Sequence, residues 1–445
     1  MCHMPKGLRK IKVSFEEPHL THFAGMFLIQ CFCQKLGLKR LFQRHLRPAP
    51  RYRDYHPSEM IMAILYAIIA GMDRINETQI LQYNGAFQRI VGLSRFPDQT
   101  AVRRFLKRLS PKNIRQIVQV HNLLRQMLFD LPHKRSSVVF DLDSTVLVIY
   151  GRLVEGARVG YNPKKHGRRS YHPLLAFESH FQEFWHGSLR PGNAAAPTGA
   201  VPFMKVCLAK LPKYIARSRI RFRLDSGFYS RRTVEFLHGE RYGYVIVAKG
   251  YKPIKAKAQN CKFTRLQNGW EVGEFWFQPP KWKRRHRFVV VRRRIPQDPV
   301  EAQQLTLFKD AKYAYHVFVT NLRTSAWRVY RFYSLRARIE KHIRELVYDY
   351  PLAKIPTQDW IPNVAFFQLL LFAFDIVHYF KRFCLPKSYR HKTLKTVRME
   401  LLVLPGQLVR SKKQHRLKLP RHYHFEDTFL KAMTKIQKLN LPTKR

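Results

Sequence analysis

Residues 136–151 read SSVVFDLDSTVLVIYG, and this stretch decides the fold class. Val138, Val139, Phe140 and Leu142 form a short run of β-branched and large apolar residues, which fits a buried strand. Side chains alternate along a strand, so Asp141 and Asp143 point to one side, at the strand's C-terminal end. Two carboxylates side by side repel each other, and next to a core they call for a cation or an arginine. A turn capped by Asp143 through Ser144 and Thr145 is the competing explanation, and it needs no chemistry.

Outward from there, residues 218–225 (SRIRFRLD) and 243–250 (GYVIVAKG) read as two further buried strands, with helical patterns at 203–215 and 231–239 and extended chain through 173–187. This order describes an α/β sheet with flanking helices. From 250 to 325 aromatic and β-branched residues dominate, as in WEVGEFWFQ, RFVVVRRR and YHVFVTNL, which predicts a β-rich insertion. Helix returns at 334–350 and 363–380. Upstream, residues 20–130 read as helices. His56-Pro57-Ser58-Glu59 opens the apolar run 60–69. The segment 96–100 leads into a helix with Val102, Phe105, Leu106 and Leu109 on one face and Arg103, Arg104, Lys107 and Arg108 on the other. That basic face is either a DNA-backbone contact or a solvated surface.

Charge narrows the partner. The 445 residues hold 82 Lys and Arg against 29 Asp and Glu, a net +53, while the total charged fraction is an ordinary 25%. With 45% hydrophobic and 13% aromatic residues the chain has ample core material, which excludes disorder as the main reading. So basic a chain repels itself unless a polyanion neutralises it, and nucleic acid matches the long, even spread of Lys and Arg. No single juxtamembrane cluster carries the charge, so no membrane partner is expected. The most apolar window, residues 364–380, is interrupted by Gln368, Asp375 and His378 and reads as a core helix. MCHMPKGLRKIKVSF at the start lacks the apolar run of a secretory signal. Cys2, Cys31, Cys33, Cys207, Cys261 and Cys384 form no CxxC pair and match no His spacing, which disfavours a disulfide framework and a zinc site and points to a cytosolic compartment.

The chemistry follows from a second strand and a helix. Residues 220–225 alternate and end in Asp225, followed by the turn Ser226-Gly227-Phe228. In YSLRARIE at 333–340, Tyr333, Arg336 and Glu340 share one helix face, and Ile339, Ile343 and Leu346 supply a packing face. Alone, an Arg–Glu helical pair is a surface ion pair of little worth. Together, the three carboxylates make an oxygen site suited to Mg²⁺ or Mn²⁺. Two such ions activate an attacking hydroxyl and stabilise entering and leaving oxygens at phosphorus, so DNA or RNA is the implied substrate. Lys164, Lys165, His166, Arg168 and Arg169 form a loop between strands, and residues 281–294 hold eight Lys and Arg, Lys283, Arg284 and Arg285 among them, with no acid. Both segments read as phosphate contacts that carry little sequence information.

DLDST with its following YG, GYNPKKHGRRSYHPLLAF, LRPGN, RLDSGF and YSLRARIEKHIREL, in this order, resemble a bacterial insertion-sequence transposase of the DDE type. More narrowly they are similar to the insertion-sequence family thirteen-eighty, in the group with a Tyr-x2-Arg-x3-Glu-x6-Lys signature. The similarity spans most of the chain, including PDQTAVRRFLKRL and IPNVAFFQLL. It implies a ribonuclease-H-like mixed sheet whose acids are an Asp on the first strand, an Asp on the fourth and a Glu on a later helix. The latter two fall on Asp225 and Glu340. The family's Asp-x-Thr pattern favours Asp143 as the first acid, with Asp141 on the same face as the alternative.

The resemblance further implies metal-dependent cleavage at terminal inverted repeats and strand transfer into target DNA, two bound Mg²⁺ or Mn²⁺ ions, a homodimer when two ends are synapsed, and a place on the nucleoid in the cytoplasm. Tyr333 and Arg336 would contact DNA. In relatives that use a DNA-hairpin intermediate the insertion offers an aromatic platform for a flipped base. Trp270, Trp276 and Trp282 are the candidates, core packing being the alternative for at least two of them, and a stacked base contributes about 1–3 kcal/mol.

Val347 stands where the signature has Lys, and Lys341 and Arg344 lie near but off that position. This leaves open a catalytically impaired, transposase-derived DNA-binding protein, or a nuclease on the same core. The expected organisation is a helical DNA-binding domain (1–132), a first core part (133–249), the β-rich insertion (250–325), a second core part with the Glu helix (326–385) and a basic region (386–445).

Overall fold

A computed structural model describes residues 13–47, 55–160, 162, 165–295, 308–310, 312–411 and 414–442. The described residues divide into two compact units, one drawn from 1–43, 50–105 and 379–440, the other from 44–49, 106–378 and 441–445.

In the first unit the helix Pro57–Ala70 begins at the start signal. Pro57 lacks an N–H that the first turn leaves unpaired in any case, and Ser58 N donates to His56 Nδ1 at 3.2 Å. Gly71, at φ 104°, ends the helix in the left-handed region that favours glycine. The end of the chain returns to this unit as a hairpin, Gly406–Ser411 with Gln414–Lys418, and its first strand pairs with Leu20–Thr21.

The second unit is mixed α/β, built on a ten-stranded mixed sheet. Its strands in chain order are β1 (Val138–Ser144), β2 (Leu174–Glu178), β3 (Glu183–Ser188), β4 (Ile220–Leu224), β5 (Gly243–Val247), β6 (Phe263–Arg265), β7 (Trp270–Phe277), β8 (His286–Arg294), β9 (Phe308–Lys309) and β10 (Tyr313–Thr320). In space they run β6-β7-β8-β10-β5-β4-β1-β2-β3, with β9 beside β10. β4 is parallel to both β1 and β5, and the other neighbours are antiparallel. The β-rich segment does not stand apart from the core sheet. Phe318 and Val319 of β10 pair with Val247 and Ile246 of β5, so its strands extend the same sheet.

Period-two alternation divides the side chains between two faces. Phe140, Leu142, Phe222, Leu224, Tyr244 and Ile246 pack on the helices Ala200–Ala209, Arg231–Gly239 and Lys252–Gln259 through Met204, Cys207, Val234, Leu237 and Ile254. Val245, Val289, Val291 and Phe318 face the other way, onto Val329 of the helix Ala326–Ser334.

One described helix, Trp360–Cys384, is long and apolar enough to cross a membrane, yet its polar side chains are engaged inside the protein. Gln368 Nε2 donates to Gly187 O at 2.9 Å. Asp375 accepts from Phe184 N at 2.9 Å and lies 2.7 Å from His121 Nε2 and 3.7 Å from Arg125. Asp375→Ala removes the buried group that Phe184 N, His121 and Arg125 all face. The expected loss is about 3–5 kcal/mol in denaturant unfolding, and a loss below about 1 kcal/mol would show that this pairing carries little.

Candidate active site

β1 and β4 run parallel in the register Asp141↔Arg223 and Leu142↔Leu224. The next residue on each, Asp143 and Asp225, therefore emerges side by side at the carboxyl end of adjacent parallel strands, the edge where open α/β sheets place their sites. Each carboxylate is aimed by the turn that follows it. Ser144 N donates to Asp143 Oδ1 at 2.8 Å and Gly227 N to Asp225 Oδ1 at 2.9 Å. A Cβ at Gly227 would lie 3.0 Å from Asp225 Oδ1 and 3.1 Å from Ala196 Cβ, so the turn leaves little room for a side chain.

The third acid arrives on a broken helix. Ala326–Ser334 ends, the chain turns through Leu335 and Arg336, and Ala337–Tyr348 follows with Ile339 and Leu346 buried. At the break, Arg336 reaches into the sheet edge. Its Nη2 donates to Leu142 O at 3.0 Å and lies 3.2 Å from Asp143 Oδ1 and 3.7 Å from Asp225 Oδ2, while Nη1 lies 3.9 Å from Glu340 Oε1. One guanidinium thus gathers all three predicted acids. Exposure rises across the group, from 4% for the Arg336 side chain through 14% for Asp143 and 36% for Asp225 to 49% for Glu340, so the site opens on the Glu340 side.

The electrostatics follow from this crowding. Burial, with added repulsion from Asp225 and Glu340, pushes the Asp143 carboxyl up to about 6 against the pull of Arg336. Burial works against the Arg336 charge, but Asp143 first, then Tyr333 and the other acids, outweigh it and hold the guanidinium above its ordinary value.

Asp141 has a different partner. Arg223 grips it with Nε–Oδ1 and Nη2–Oδ2 both at 2.6 Å, and the same guanidinium donates to Phe332 O at 2.7 Å and to Ser179 Oγ. The pair is buried, with side chains 1% and 2% exposed. Asp141 shares the face of Asp143 but is committed to Arg223. Tyr333 packs its ring on Phe318 of β10, with centroids 4.8 Å apart.

Ser144 is the turn residue already named after Asp143, whereas no local sequence signal marks its partner His172. His172 Nδ1 lies 2.7 Å from Ala194 O and Nε2 lies 3.0 Å from Ser144 Oγ, which braces the turn after Asp143. With Nδ1–H on the carbonyl, Nε2 accepts from the serine hydroxyl.

The basic candidates lie on the surface. Lys165, His166, Arg168 and Arg169 are exposed, and Lys165 Nζ donates to Tyr150 OH at 2.7 Å. Lys164 lies outside the described residues. Lys283, Arg284 and Arg285 are exposed between β7 and β8. Of the three tryptophans, Trp270 packs on Trp327 and Tyr330 and Trp282 on Tyr229 and His286, whereas Trp276 is 57% exposed opposite Arg287. Val347 is half-buried, and Lys341 and Arg344 are exposed on the same helix.

Residues 4–441 match the family described as transposase DDE domain, group 1. The chain belongs to this family. It is a DNA transposase, of a class that generally uses divalent metal ions. A solved structure of a piggyBac transposase synaptic complex with hairpin DNA is similar at 12% identity and a TM-score of 0.40, over 89% of this chain and 82% of that one. No curated protein matches.

Whether the transposase's residues suit such an ion can be judged from their donors. Asp143, Asp225 and Glu340 offer only anionic oxygens, the ligands a hard divalent cation takes, at a strand edge where repulsion already calls for positive charge. Among the described residues no three His, Cys, Asp or Glu side chains stand at ligating spacing, and these three acids are gathered around the Arg336 guanidinium. In kind and charge the donor set fits.

Two tests follow. Arg223→Met strands a buried carboxylate and is expected to lower the transposase's stability by about 3–5 kcal/mol, with much of this regained in Asp141→Leu/Arg223→Met; additive losses in denaturant unfolding would contradict the pairing. In metal-free buffer, Asp143 binds its proton more tightly folded than unfolded, so its contribution to stability falls as pH rises from about 4 to about 6. Asp143→Asn is therefore expected to gain relative to the parent across that window and no further above it. A constant difference in unfolding free energy would show that Asp143 is not strained.

Proposed function

We propose that this transposase cuts DNA at the terminal inverted repeats of its own element and transfers the freed ends into target DNA, with Asp143, Asp225 and Glu340 as its catalytic acids. The observation that carries the reading is the convergence of acids from β1, β4 and the Ala337–Tyr348 helix on one cationic side chain. Strands ending in Asp at the parallel pair, the antiparallel β1-β2-β3 meander and the later Glu helix support a ribonuclease-H-like core. The ordered segments quoted above support the bacterial insertion-sequence family thirteen-eighty. Asp143, rather than Asp141, is the first acid in this reading, since Asp141 is taken up by Arg223.

Asp143, Asp225 and Glu340 would hold Mg²⁺ or Mn²⁺, two ions in the full site. When bound, such ions stabilise charge on the phosphodiester oxygens and acidify an attacking hydroxyl. The chain's own contributions are positional. Ser144 N–H and Gly227 N–H fix the two aspartates, and His172 braces the first turn. Lys165, Arg168, Arg169, Lys283, Arg284 and Arg285 would hold phosphates, with Lys164 assigned to the same loop from sequence. Trp276 would stack an unpaired base, and Tyr333 would line the DNA path. Synapsis of two ends calls for a homodimer, acting on the nucleoid in the cytoplasm.

A second reading, a catalytically impaired DNA-binding protein, is favoured by one observation, Val347 at the signature Lys position. Purified protein with duplexes carrying the element's ends separates the two. Mg²⁺- or Mn²⁺-dependent cleavage is expected, with Asp225→Asn and Glu340→Gln each lowering it more than about a hundredfold while DNA binding persists. Cleavage unchanged in those variants would overturn the assignment. Salt-sensitive binding without cleavage in any divalent metal would select the second reading, and equal cutting of DNA without the repeats would indicate a nuclease.

A further inference from the structure

We propose that Arg336 is a displaceable counter-ion that keeps the acid site closed to divalent metal, so that a metal enters by expelling its guanidinium from between Asp143, Asp225 and Glu340. This inference rests on the assignment of those acids as metal ligands. Two buried arginines, Arg223 on β4 and Arg336 in the turn between the helices, are held in contrasting ways.

Arg223 is locked. Its fork meets Asp141 in two bonds of 2.6 Å, and further bonds go to Phe332 O and Ser179 Oγ. Such a bidentate geometry is the strong form of the contact, and removing it strands a buried charge. Arg336 is equally buried but loosely held. Its guanidinium makes one hydrogen bond, to the carbonyl Leu142 O, its distances to the three carboxylates run from 3.2 to 3.9 Å, and its Nε has no hydrogen-bond partner. Charge, not a fitted fork, keeps it in place. An unpaired buried N–H also weighs against this position, which lowers the barrier to leaving it.

The backbone permits the exchange. Arg336 sits in the turn between the helices Ala326–Ser334 and Ala337–Tyr348, so its side chain can move without breaking either helix. A divalent ion bound directly by the carboxylates carries twice the charge of the guanidinium, takes over its attraction and repels it. The way out is the exposed Glu340 side. A guanidinium released there faces the opening through which a phosphate of bound DNA would enter, and it would satisfy its fork on that phosphate. Metal binding then carries the work of expelling Arg336, and bound DNA offsets that work.

Mn²⁺ titration calorimetry on the full-length, DNA-free protein tests this. Arg336→Gln is expected to bind Mn²⁺ about tenfold more tightly than the parent, with a lower metal-free Tm and a larger rise on adding Mn²⁺. Equal or weaker Mn²⁺ binding in Arg336→Gln would overturn the inference and make Arg336 a support of the site. Because that variant can fail to fold, the parent protein gives an independent readout: modification of Arg336 by phenylglyoxal, located by peptide mass, is expected to be slow without metal and faster with Mg²⁺, and a rate that Mg²⁺ leaves unchanged would overturn the inference. Asp225→Asn separates the two levels. If it abolishes Mn²⁺ binding while Arg336→Gln binds no more tightly, the counter-ion inference alone fails. If Mn²⁺ binding is indifferent to Asp225→Asn, the metal-site reading fails and the inference with it.

Discussion

The in-register parallel pairing of β1 with β4 is the constraint on which the site depends. It sets Asp141 opposite Arg223 and, one position beyond the last paired residues, Asp143 beside Asp225. A slip of one residue would turn every side chain of β1 to the other face, placing Phe140 and Leu142 at the acid edge and both aspartates in the apolar core. The hydrophobic packing of Phe140, Leu142, Phe222 and Leu224 on the helix-covered face is thus what holds the register, and the Asp141–Arg223 pair reinforces it from the opposite face. Fold and chemistry are specified by the same alternation.

The charge distribution acquires a local logic. The chain carries +53 overall, yet the candidate chemistry lies at a place where three acids outnumber the one arginine among them. Exposed Lys and Arg in the loop before β2 and between β7 and β8 give long-range attraction for a polyanion, while the acids reverse the sign over a few ångströms. The two buried arginines divide the labour. Arg223 neutralises an acid buried in the fold, and Arg336 faces the three candidate acids.

Much of this was legible in the sequence, for identifiable reasons. Strands that end in Asp are visible because apolar alternation and a following turn are local signals, and Tyr333, Arg336 and Glu340 stand out by helical spacing. The His56-Pro57 start of a helix is equally local. What depends on long-range pairing was not visible. The segment 250–325 reads as an insertion, and only the pairing of β10 with β5 shows that it extends the main sheet. Residues 406–411 and 414–418 read as part of a basic tail, whereas they close a small sheet with Leu20–Thr21. Arg223 could be matched to Asp141 only once the register was known. Arg336 looked like the partner of a surface Glu because no Gly or Pro marks the break at Leu335, and that break turns its side chain inward. The tryptophans behaved as the packing alternative held for two of three, since only Trp276 is left outward by its place on β7.

The central claim is that Asp143, Asp225 and Glu340 form one cation site at the β1–β4 edge. Diffraction from crystals of the protein grown with Mn²⁺, collected at an energy where manganese scatters anomalously, tests it most directly. An anomalous peak among the Asp143, Asp225 and Glu340 carboxylates, with the Arg336 guanidinium displaced from between them, is the expected result. Manganese bound elsewhere, with Arg336 still lodged among the three acids, would contradict it.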